Sequence, residues 1–130
     1  MPKKIMIIDD EPDIRIYLMT ALEDSGYETC TIEENEPICK AVLAEEPDLI
    51  ILDIMMPRRS GISMYKELRR TAAFNNIPIA LISGMSPAKD FMEVEFKRLI
   101  DDDTIGPPDG FVEKPVKLPA LMELVKQLLE

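Results

Sequence analysis

Three short apolar runs and one weaker one in this 130-residue chain each give way to residues that could do chemistry. Ile5-Met6-Ile7-Ile8 is followed by Asp9-Asp10-Glu11, and Leu49-Ile50-Ile51-Leu52 by Asp53. Ile79-Ala80-Leu81-Ile82 ends in Ser83-Gly84, and Phe111-Val112 leads through Glu113 to Lys114-Pro115. If these run ends share one edge, Asp9, Asp10 and Asp53 crowd together three negative charges, which is unfavourable unless a cation sits among them. A hard divalent ion suits such oxygen donors. Mg2+ is the first choice, because it takes one or two carboxylates, keeps several waters and commonly reaches a phosphate. Lys114 would add a second positive charge and Ser83 a hydroxyl donor, each able to hold a phosphoryl oxygen. Asp53 then becomes a candidate nucleophile, since a carboxylate can form an aspartyl-phosphate when metal and lysine neutralise the developing charge.

The elements that must bring these residues together can be read from hydropathy. Continuous rather than alternating apolar runs predict strands covered on both faces, as in a parallel sheet. Weaker strand candidates lie at 27–32 and 111–112. Between them Ile14, Tyr17, Leu18, Ala21 and Leu22 form a stripe at helical spacing, stopped by Ser25-Gly26. Segments 37–45, 63–71, 87–100 and 118–129 read the same way. Strand and helix thus alternate five times, which the right-handed crossover rule folds into an α/β, doubly wound, five-stranded parallel sheet. Ligands of such sheets bind beyond the carboxyl ends of the strands, where the four run ends lie. The length suits one domain over residues 1–130. Residues 101–109, DDDTIGPPD, read as an exposed loop.

In this order the pieces IMIIDDEPDIR at 5–15, LIILDIMMPRRSG at 49–61, IALISG at 79–84 and FVEKP at 111–115 resemble the response-regulator receiver domains of two-component signalling, over essentially the whole chain. The resemblance implies a flavodoxin-like (βα)5 fold with strand order 2-1-3-4-5. It implies that Asp53 accepts a phosphoryl group from the phosphohistidine of a sensor histidine kinase or a histidine phosphotransfer protein. Asp10 and Asp53 would ligate Mg2+ with the backbone carbonyl of Met55, and Asp9 would act through the metal's waters. Ser83 and Lys114 would each bond a phosphoryl oxygen, Phe111 would be the aromatic switch residue, and the Lys114-Pro115 bond would be cis. Such a domain catalyses only its own phosphorylation and dephosphorylation and changes its surface for a downstream protein.

Simpler roles account for other residues. Glu11 reads as a helix-start carboxylate favoured by the macrodipole. Asp101, Asp102 and Asp103 are consecutive in a loop, so their side chains should diverge into solvent. Arg58-Arg59 reads as a solvated basic spot, and Cys30 and Cys39 as reduced structural thiols. Two features depart from the family pattern. Ser83 and Lys114 lie 31 positions apart, a surplus of roughly two helical turns that falls in 87–109. That surplus is expected to form a partner surface peculiar to this chain, and it puts the usual communication from Ser83 to Phe111 in question. Met55 and Met85 lie two residues after the acceptor and the hydroxyl, where polar groups could orient an attacking water. Their apolar side chains predict slow self-dephosphorylation.

Composition narrows the partners. The 25 acids against 15 bases give a formal charge of −10, which repels phosphate backbones and argues against direct nucleic-acid binding. No apolar run approaches the roughly 20 residues needed to span a bilayer, and the start lacks a signal-peptide pattern, so a cytoplasmic location is expected. The pattern of 118–129 runs almost to Glu130 and leaves no effector within the chain. A Mg2+-dependent phosphohydrolase with an aspartyl nucleophile is the main alternative, but such enzymes typically place a second acid where Met55 stands. A non-phosphorylated interaction module would be expected to lack an acid or the lysine, and all are present.

Overall fold

Alternate side chains of the apolar runs leave the sheet on opposite faces, and each face is covered by helices. In the computed structural model, which describes residues 2–54, 56, 60–84, 98 and 100–130, the strands are β1 (Lys4–Ile8), β2 (Glu28–Cys30), β3 (Leu49–Asp53), β4 (Ile79–Ser83) and β5 (Gly110–Glu113). The helices among the described residues are α1 (Pro12–Asp24), α2 (Ile38–Glu45), α3 (Gly61–Arg70) and α4 (Leu118–Leu129). All four strand pairings are parallel, in the order β2-β1-β3-β4-β5. Met6, Ile8, Ile50, Leu52 and Leu81 pack with Val42 of α2 and Met64, Tyr65 and Leu68 of α3. Ile5, Ile7, Ile51 and Ile82 pack with Leu18 and Leu22 of α1 and Leu121 and Val125 of α4. Double coverage is why β3 and β4 are buried at every position.

Local signals set most boundaries. Pro12 begins α1, where its missing N–H costs nothing, and Gly26 beyond its end adopts φ 96°, open to glycine without strain. Ser60 caps α3 by accepting from the Ser63 N–H at 3.1 Å. The expected strand at 27–32 contracts to three residues, because β2 is an edge strand with β1 as its neighbour. Helix 87–100 lies largely outside the described residues; Arg98 and Ile100 are helical, and Ile100 is buried in the core.

The 101–109 loop differs from the solvated charge run read from the sequence. Asp102 accepts from Arg70 Nη2 at 2.6 Å, and from the Thr104 N–H and hydroxyl at 2.9 and 2.6 Å. Asp109 accepts from Arg69 Nη2 at 2.7 Å and from the Ile79 N–H at 2.9 Å. The Tyr65 hydroxyl donates to the Gly106 carbonyl at 2.8 Å. The loop is therefore gripped by α3 at three points, with the Arg69 guanidinium also lying 5.2 Å from the Tyr65 ring centre. Asp101 and Asp103 remain exposed as expected.

Candidate functional site

Strand register brings the sequence-predicted site residues to one edge. Ile7 pairs with Ile51 and Ile8 with Leu52, which carries Asp9 alongside Asp53. The Ile54 N–H donates to the Ile82 carbonyl at 3.1 Å, and the Lys114 N–H to the Ser83 carbonyl at 2.9 Å. The ends of β3, β4 and β5 are thus fastened at the level of Asp53, Ser83 and Lys114. Asp53 and Ser83 are fully buried, Asp9 is nearly so, and Asp10 is exposed. The Lys114–Pro115 peptide is cis.

Gly61 sets how closely α3 approaches the end of β3. A Cβ there would lie 2.2 Å from the Asp53 carbonyl oxygen and 2.5 Å from the Ile54 Cα, closer than atoms can sit. Glycine at the start of α3 therefore lets the helix seat against the main chain of Asp53.

Carboxylate oxygens of Asp9, Asp10 and Asp53 all lie within 4.8 Å of one another. Lys114 Nζ stands 3.0 Å from Asp53 Oδ2, 3.3 Å from Asp9 Oδ2 and 3.2 Å from Glu11 Oε1. Burial lifts the Asp9 carboxyl above its ordinary range; the Asp53 charge adds to this, against the opposing pull of the Glu11 N–H and the Lys114 ammonium. Burial alone would lower the Lys114 ammonium, but its bond to Asp53 and the charges of Asp53 and Asp9 outweigh that and raise it. One oxygen is left over. Asp9 Oδ2 is buried and accepts no hydrogen bond, its contact with Lys114 lacking the required geometry. Three converging hard oxygen donors, one of them an orphaned buried atom, fit a divalent cation such as Mg2+. A cleft of about 670 Å³ lined by Asp9, Asp10, Arg15, Thr31, Met56 and Met64, among others, opens beside Asp9 and Asp10.

Two residues of the site were missed or misread. Glu11 does occupy the N-cap position of α1, but its side chain makes no capping bond; it reaches Lys114 instead, while its N–H donates to Asp9 Oδ1 at 2.9 Å. Arg15 donates to the Asp9 carbonyl at 2.8 Å, fixing the turn after β1. Phe111, half-buried on β5, packs against the core beneath α2 and α3. Met55, Arg58, Arg59 and Met85 lie outside the described residues.

A five-stranded parallel sheet of this order with acids, hydroxyl and lysine at its carboxyl edge is the architecture of receiver domains. The Response regulator receiver domain family matches residues 5–126, and the chain belongs to that family. It is 34% identical over 122 residues to the alkaline phosphatase synthesis transcriptional regulatory protein PhoP of Bacillus subtilis, covering 94% of this chain and 49% of that protein. It is 32% identical over 127 residues to the phosphate regulon transcriptional regulatory protein PhoB of Pseudomonas aeruginosa, covering 98% and 52%. The chain spans about half the length of these two regulators. Among solved structures, the signal receiver domain of a signal transduction histidine kinase from Syntrophus aciditrophicus superposes with a TM-score of 0.79 at 29% identity, covering 98% of this chain and 89% of that one. The chemotaxis response regulator CheY4 of Vibrio cholerae superposes with a TM-score of 0.80 at 21% identity, covering 99% and 100%, a likeness of fold. Among the described residues no helix is long and apolar enough to cross a membrane.

Proposed function

We propose that residues 1–130 form one receiver unit whose Asp53 accepts a phosphoryl group from the phosphohistidine of a sensor histidine kinase or a histidine phosphotransfer protein, and that the phosphorylated form presents a changed surface to a downstream protein. The observation that carries this is the fully buried Asp53 carboxylate, 3.0 Å from Lys114 Nζ and within 4.8 Å of the Asp9 and Asp10 oxygens. A carboxylate oxygen of Asp53 attacks phosphorus, the P–N bond to the imidazole breaks, and its electron pair returns to the ring nitrogen. Asp9, Asp10 and Asp53, with the Met55 carbonyl, would hold Mg2+, which when bound supplies neutralising charge for the phosphoryl oxygens. Lys114 donates a hydrogen bond to a phosphoryl oxygen. Ser83, fastened beside Lys114 by the main-chain bond between them, supplies a hydroxyl to another. Phe111, on the strand that delivers Lys114, is the residue whose packing reports the change. The charge of −10 and the absence of an apolar span among the described helices support a protein partner in the cytoplasm rather than nucleic acid or a bilayer.

Incubation with Mg2+ and a small phosphodonor tests the reading. Addition of one phosphoryl mass that is absent in Asp53→Asn is the expected result. Sustained turnover of a phosphomonoester would make the chain a phosphohydrolase instead, and no labelling under any such condition would make it a silent interaction module.

A further inference from the structure

Lys114 is shared by three carboxylates, and only one of them has room to leave. Asp9 and Asp53 offer side chains with no solvent exposure, whereas the Glu11 side chain is 59% exposed. Of the three hydrogens of the ammonium, Glu11 Oε1 and Asp53 Oδ2 accept one each, while Asp9 Oδ2 stands 3.3 Å away without a hydrogen bond. An arriving phosphoryl oxygen therefore meets an ammonium that the Glu11 carboxylate already holds at 3.2 Å, and the two anions compete for its charge. Glu11 is tied into the site at both ends: its N–H holds Asp9 Oδ1 at 2.9 Å, and its carboxylate lies 3.2 Å from Lys114 Nζ.

We propose that Glu11 is a positioning residue that competes with the phosphoryl group for Lys114, and so sets how tightly the phosphorylated site holds together. This rests on the reading of Asp53 as the acceptor. The geometry gives the sign. Any oxygen the ammonium holds at hydrogen-bond distance lies no more than about 6 Å from the Glu11 carboxylate while both touch Nζ. At that separation a negative charge opposes an incoming anion and favours a cation. Because Glu11 faces solvent, screening limits the effect to roughly three- to tenfold in affinity.

The competition predicts opposite movements of two affinities in one variant. Fluoroberyllate, a phosphoryl mimic, is titrated in saturating Mg2+, and Mg2+ is titrated alone, with wild type, Glu11→Gln and Glu11→Asp. Glu11→Gln keeps the N–H to Asp9 and a polar side chain near Lys114 but loses the charge. It should bind fluoroberyllate roughly three- to tenfold more tightly and Mg2+ alone more weakly, while Glu11→Asp keeps the wild-type pattern. A merely structural role would weaken both. Movement of both affinities in the same direction, or of neither by more than about twofold, overturns the proposal. A wild type that binds no fluoroberyllate overturns the acceptor reading itself, and this proposal with it.

Discussion

Replacing Lys114 by methionine keeps the length of the side chain and removes the ammonium that stands 3.0 Å from Asp53 and 3.3 Å from Asp9, both carboxylates without solvent exposure. Stranding buried charge in this way costs about 3–5 kcal/mol. The loss has a ceiling, because Asp9, already lifted by burial, can take a proton instead. Protonating a carboxyl of ordinary value 3.8 costs about 5 kcal/mol at pH 7.5 and about 2 kcal/mol at pH 5.5. In the wild type the raised Lys114 stays charged across this window, its stabilising contribution being lost only at strongly alkaline pH. The pH dependence of the difference therefore comes from the carboxylates of the variant. In EDTA at pH 7.5 the variant should be less stable by about 3 kcal/mol, or about 10 °C in Tm. The deficit should shrink to about 2 kcal/mol or less at pH 5.5. Mg2+ at a hundred times its Kd should return about 2.7 kcal/mol. Urea melts at the two pH values, with EDTA and with Mg2+, measure all three. A variant as stable as wild type at pH 7.5 without metal, or a deficit that grows as pH falls, would refute the claim that Lys114 neutralises the buried acids.

Three further outcomes follow from other contacts. Gly61→Ala forces α3 off the Asp53 backbone and should cost about 2–3 kcal/mol, whereas Gly84→Ala, whose Cβ would meet nothing within 4 Å, should stay within about 0.5 kcal/mol of wild type in the same melts. Arg69→Ala removes the pair with Asp109 and the bonds to the Asn75 and Ile77 carbonyls, so it should cost about 2 kcal/mol and speed amide exchange across 101–109; unchanged exchange would show that the grip does not hold in solution. Burial pushes the Cys30 thiol up to about 11 from 9.0, so at pH 8 its thiolate should be about a hundredfold scarcer than that of an ordinary thiol, and rapid alkylation of native protein at Cys30 would contradict that environment.

The sheet was legible because β1, β3 and β4 are apolar at consecutive positions, a pattern that double coverage demands. Asp9, Asp10, Asp53, Ser83 and Lys114 were legible for the same reason, each standing at or just beyond the end of such a run. Glu11 was not, because its position before Pro12 also suits a helix cap, and nothing local announces a partner 103 residues away. The acids of the loop were misread on similar grounds. Arg69 and Arg70 lie in the last turn of α3, where basic residues already have a sufficient reason to be, favourable interaction with the helix dipole. Their pairing with Asp109 and Asp102 depends on a tertiary approach across 40 and 32 positions.

That approach changes what the surplus between β4 and β5 can be asked to do. Deleting residues 100–108 would remove Ile100 and Pro108 from buried positions and leave Arg70 and the Tyr65 hydroxyl without Asp102 and the Gly106 carbonyl. The deletion would disturb α3, whose first residue seats on the Asp53 backbone, so a loss of partner binding could arise at the acceptor as readily as at the loop. Asp101 and Asp103 are exposed, and reversing their charge leaves the grip of α3 in place. A partner surface built on the acidity of this loop should therefore weaken on Asp101→Lys with Asp103→Lys while Asp53 labelling stays at the wild-type level, and partner binding that survives both substitutions would exclude those two charges from the surface.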